Sequence, residues 1–68
     1  MHPALAVGGS YQAEVIARDA DGRVQLRLAG VLVSARTALR LAAGDRVEVE
    51  VDRLRPEVVL RVTRQLLP

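Results

Sequence analysis

The chain has no cysteine, lysine, phenylalanine or tryptophan, and only one tyrosine and one histidine. Without cysteine there is neither a disulfide framework nor a thiolate for zinc. The single histidine, His2, sits at the N-terminal end, so no metal-ligand set can be assembled, and neither a metal nor a cofactor is expected. One aromatic residue, Tyr11, offers no platform for stacked bases, each of which is worth ~1–3 kcal/mol to single-strand binders. No apolar run approaches the roughly 20 residues of a membrane-spanning helix. Residues 1–9, MHPALAVGG, lack the charged start and long apolar stretch of a secretory signal. Membrane insertion is therefore not expected, and the default location is the cytoplasm.

What is present is a chain of 68 residues, enough for one domain. A domain of ~60 residues buries only about 60% of the surface its unfolded chain exposes, so its core is thin. Ten arginines face eight acids, for a net charge of +2. That balance does not announce a nucleic-acid protein, because clustering matters more than the total.

Period-two alternation dominates the pattern. In YQAEVIAR, Tyr11, Ala13, Val15 and Ala17 share the core phase. Asp19 to Gly22 supplies turn chemistry, since aspartate bonds its own backbone and glycine tolerates positive φ. RVQLRLA then places Val24, Leu26 and Leu28 inward, Ala29-Gly30 turns the chain, and Val31, Val33 and Ala35 return. Pairing Arg18 with Arg23 sets Ala17 against Val24, Val15 against Leu26 and Ala13 against Leu28. Pairing Leu28 with Val31 sets Leu26 against Val33. A slip of one residue would turn every one of these to water, so the pairing is well specified.

Thr37 to Gly44 breaks the alternation. Thr37 as N-cap, the Ala and Leu run, and Gly44 at C′ predict one or two helical turns. Val47, Val49 and Val51 then point inward, followed after a loop by Val58, Leu60 and Val62. The expectation is an all-β fold, a five-stranded OB-like small β-barrel with a short helix between strands three and four. An open SH3-like barrel is the alternative. Residues 1–9 are expected as an N-terminal tail, 10–64 as the barrel and 65–68 as a C-terminal tail.

On the outer face Glu14 is predicted beside Arg27, and Glu48 beside Arg61. Opposite charges across strands contribute roughly 0.2–1 kcal/mol each and help fix register. Arg18, Arg23 and Arg36 instead fall in one row of like charge. Either Asp19 and Asp21 relieve that row, or it contacts an anion or a nucleic acid. Ile16, Leu32 and Val59 point outward by phase, and Leu66 and Leu67 trail the last strand. Scattered apolar residues are ordinary on surfaces, but several converging would mark a contact with a protein partner, another domain of a longer chain, or a second copy. For catalysis, Ser10, Ser34, Thr37 and Thr63 have no recognisable base, and the acids fall in turns or on outward positions. The chain is expected not to be an enzyme.

Three stretches, GGSYQAEVIA, GRVQLRLAGVLVSARTALRLAAGDRVEVEV and LRPEVVLRV, together resemble the β-rich module of bacterial flagellar hook-length control proteins. The resemblance spans Gly8 to about Val62. It implies a non-enzymatic interaction module, a fragment or small relative of proteins that the flagellar type III apparatus exports from the cytoplasm. GGSYQAEV and AAGDRVEVEV are also similar to the first and fourth strands of ribosomal RNA-binding OB domains. GDRVEVEV and RPEVVL look like the TOBE module of molybdate and sugar transporters, although the Ser-Ala-Arg run here falls at Ser34 to Arg36 rather than before Tyr11.

Overall fold

Alternation becomes five strands: β1 (Ser10–Arg18), β2 (Arg23–Leu28), β3 (Val31–Arg36), β4 (Arg46–Arg53) and β5 (Val59–Leu66). The computed structural model describes residues 5–19 and 22–66. The strands close into a barrel in the order β1-β2-β3-β5-β4, with every neighbouring pair antiparallel except β3 and β5. Its interior is apolar throughout: Ala13, Val15, Val24, Leu26, Leu28, Val33, Ala35, Val47, Val49, Val51 and Leu60 come from the strands, and Leu41 from a loop. Among the described residues no polar side chain is buried.

The β2–β3 hairpin has the register its alternation predicts, from Leu28 opposite Val31 to Arg23 opposite Arg36. Its two turn residues, Ala29 and Gly30, have φ of 52° and 78°. Positive φ at both positions is the type I′ geometry whose twist matches paired strands. Gly30 adopts it without penalty, but an L-residue in the left-handed region costs roughly 1–2 kcal/mol. Ala29→Asn, which creates the Asn-Gly pair this turn favours, is expected to stabilise the barrel by about 0.5–1 kcal/mol. The check is the melting midpoint, which should rise by several degrees in a domain of this size. An unchanged midpoint would mean that the turn relaxes out of this conformation in solution.

Pairing between β1 and β2 follows expectation at Glu14–Arg27 and Val15–Leu26, then departs from it. A β-bulge at Ile16 inserts one extra residue, so Ala17 faces Gln25 and Arg18 faces Val24. The expected Arg18–Arg23 and Ala17–Val24 pairs do not form. The bulge sits where β1 is bound on its other side. Val15 donates its N–H to the Asp45 carbonyl and accepts from the Gly44 N–H, each at 2.8 Å. A bulge re-aims the residues that follow it. Here it leaves Ile16 and Ala17 half-buried and Arg18 exposed.

The predicted helix between β3 and β4 is absent; residues 37–45 form an irregular loop. Short helices nucleate poorly in isolation, and local side-chain bonds compete for this backbone. Thr37 Oγ1 accepts the Leu39 N–H at 3.0 Å in a turn that no helix follows. Asp45 Oδ2 accepts the Ala42 N–H at 2.9 Å, and the Asp45 N–H reaches the Ala42 carbonyl at 3.0 Å. Gly44, at φ 95°, turns the chain so that its N–H meets Val15. Leu41 alone from this loop enters the core.

Both expected tails contribute to the barrel. Gly8 donates to the Val51 carbonyl at 2.7 Å, and Val51 donates to the Gly9 carbonyl at 3.0 Å, which continues the β1–β4 pairing upstream. β5 includes Gln65 and Leu66. On the outer face Glu14 and Arg27 approach to 4.0 Å as expected. Glu48, however, meets Arg64 at 3.2 Å, while Arg61 bonds Glu50 and lies 4.0 Å from Asp52. Irregularities in β4 at Glu48/Val49 and Val51/Arg53 change the register, so Arg61 does not pair with Glu48.

Candidate functional site

Four of the barrel's seams are ladders of several residues; the fifth, between β3 and β5, is a single register pair, Arg36 with Arg61. Beside that pair, along the same two strands, lies an open groove of about 470 Å³. One wall is Val31 to Arg36 of β3, with Arg23 beside it; the other is Glu57 to Leu60.

The groove gathers residues that their phases had picked out singly. Leu32 is 60% exposed and Val31 45%, while Val58 and Val59 opposite are half-buried. Arg23 and Arg36 stand at the end where the strands meet. The remaining proposed contact residues lie elsewhere. Ile16 is on the bulge of β1, and Leu66 pairs with Arg46 on β4. Leu67 lies outside the described residues.

Electrostatics at the groove differ from the row expected along the strands. Arg18 has left it, and Arg61 has entered it, so the row reads Arg23, Arg36, Arg61 across β2, β3 and β5. Adjacent strands are only ~4.8 Å apart, and like charges directly opposite are destabilising. Glu50 and Asp52 compensate Arg61. Arg36 has like charges on both sides. Among the described residues no hydrogen bond or ion pair holds its side chain.

Nothing along the chain pointed to Arg61, Glu57 or Val58 as site residues. A parallel closure joins segments with no turn between them, so no local signal sets its register. The phase of β3 predicts Val31 inward, yet at the mouth of the hairpin it is open to water.

The groove lining offers apolar side chains, guanidinium groups and one carboxylate. Ser34 is the only hydroxyl in the groove lining, and among the described residues no cluster of three or more His, Cys, Asp or Glu could hold a metal. Tyr11 packs against the core and its hydroxyl accepts the Ala6 N–H at 2.9 Å, so the one aromatic ring is committed to structure. Among the described residues no helix is long and apolar enough to cross a membrane. Comparison with protein-family models, curated proteins and solved structures found no match to this chain.

Proposed function

We propose that this barrel is a non-catalytic protein-interaction module, of the kind carried by flagellar hook-length control or other type III secretion proteins, and that it meets its partner along the β3–β5 groove. One observation carries the reading: Val31 and Leu32 stand open to water across from half-buried Val58 and Val59, at the seam where the ring is least closed. Apolar residues gathered beside polar ones are what contact surfaces have in common. The strand order β1-β2-β3-β5-β4 supports an OB-like relationship, consistent with a scaffold that presents a face rather than a catalytic centre.

Leu32→Asp separates contact from stability. Leu32 is largely exposed, so its replacement is expected to change unfolding free energy by no more than about 0.5 kcal/mol. The test is a methyl-resolved titration of the barrel with purified flagellar hook subunits and export-apparatus proteins. Shifts confined to Leu32, Val33, Val58 and Val59, and lost in Leu32→Asp, are the expected result. Absence of any shift with all of them would sink the reading.

The second reading is an anion or nucleic-acid site on the row Arg23, Arg36 and Arg61, favoured by Arg36, whose side chain has no ion pair among the described residues. Phosphate binding weakens steeply with salt, whereas an apolar protein contact does not. A short RNA titrated at low and moderate salt, and again with Arg36→Glu, distinguishes them. Salt-sensitive binding abolished by that substitution would establish the second reading in place of the first.

A further inference from the structure

The main-chain geometry of β3 says what kind of partner the groove fits, an inference that rests on the groove being the contact site. In a hairpin closed by a two-residue turn, the residues flanking the turn exchange both their N–H and C=O with each other. Leu28 and Val31 are that pair. The alternation then directs the main chain of Val31, Val33 and Ala35 toward β2, and that of Leu32, Ser34 and Arg36 toward β5. Arg36 finds β5 through its pairing with Arg61. Leu32 and Ser34 have no register partner on β5 among the described residues. Their peptide groups form a short open edge inside a barrel whose other seams are laddered. Such an edge is a template for an added strand.

Charge gives that strand its polarity. β3 and β5 run parallel, so Arg36 and Arg61 share one end of the groove. Glu57, four positions before Arg61, lines the other end near Leu32. A carboxylate on the incoming segment is therefore attracted beside Arg36 and repelled beside Glu57. We propose that the β3 edge takes up an extended peptide segment of a partner protein, apolar at alternate positions and carrying an acidic residue at the end beside Arg36. The paired stretch is shorter than β3, whose 6 residues include Arg36, already paired with Arg61. Main-chain bonds to Leu32 and Ser34 hold it, apolar side chains lie against Leu32 and Val59, and Arg36 selects the acidic end.

The test uses the full chain and capped hexapeptides of alternating valine and threonine, with an aspartate at the first or at the last position. Binding is read by amide hydrogen exchange and by methyl shifts. At least one aspartate peptide is expected to slow exchange at Leu32 and Ser34 while leaving the β4–β5 ladder unchanged. Replacing its aspartate with lysine is expected to weaken binding several-fold, and a central proline to abolish it. In Arg36→Glu the preference between aspartate and lysine should reverse, a readout that survives any small change in stability.

Unchanged exchange at Leu32 and Ser34 with both aspartate peptides overturns the proposal. So does peptide-free protein that sediments as a dimer with those amides already protected, because the edge would then belong to a second copy. If a folded partner shifts the Leu32 and Val59 methyls with both amides still exchanging freely, strand addition fails while the groove remains the contact. If no partner shifts them, both fail.

Discussion

Leu26→Ala is expected to remove most of the stability of the barrel. Leu26 is fully buried on β2, opposite Val15 of β1 and Val33 of β3. It therefore joins three strands across the middle of the interior. Truncating a buried leucine costs ~2–5 kcal/mol, from the lost transfer free energy plus the cavity left behind. Native domains hold roughly 0.05–0.15 kcal/mol per residue, which for a chain of 68 residues comes to about 3–10 kcal/mol. The chain has no cysteine to cross-link it. Urea unfolding followed by far-UV circular dichroism should show the midpoint moving strongly downward, or no folded baseline at all. A loss below ~1 kcal/mol would mean that the interior is not packed as described, since repacking of that quality is rare around a central leucine.

The second large effect falls in a loop, where tolerance is the usual rule. Leu41 is 1% exposed, the one core residue contributed by residues 37–45. Leu41→Ala is expected to cost ~2–4 kcal/mol. Leu39, two positions away and 42% exposed, provides the control: Leu39→Ala should cost less than ~1 kcal/mol. Parallel denaturation curves of the two variants read the difference directly. Equal losses would show that the loop covers the barrel through both side chains, and negligible losses in both would remove Leu41 from the core.

That loop also marks where local sequence stops being a guide. The hairpin of β2 and β3 was legible because two alternating runs flank a two-residue turn, which leaves a single register that buries Val24, Leu26, Val33 and Ala35 together. Residues 37–44 carried a helical composition too, yet the competing bonds are either very local, as at Thr37, or distant, as between Gly44 and Val15. Propensity measures neither. The bulge at Ile16 is of the same kind, since alternation alone runs straight through it and only the clasp on Val15 reveals it. The candidate site follows the pattern. Leu32, Val59, Arg23 and Arg36 each stood out by phase or by charge, and the parallel approach of β5 brings them together. No turn announces that approach, so alternation alone assigns Arg18 to a row it does not join and omits Arg61 from it.

The single rung between Arg36 and Arg61 has a further consequence for how the ring is assembled. The hairpin of β2 and β3 spans a two-residue turn, whereas the rung joins positions 25 residues apart (61 − 36). Closing that longer span loses more chain entropy, and the two residues paired where it closes are both arginines. β1 and β4 close a longer span still, but five register pairs hold them together, so thermal breathing is expected to begin at the single rung. The barrel behaves as a clasped bracelet, whose fastening yields before any of its links.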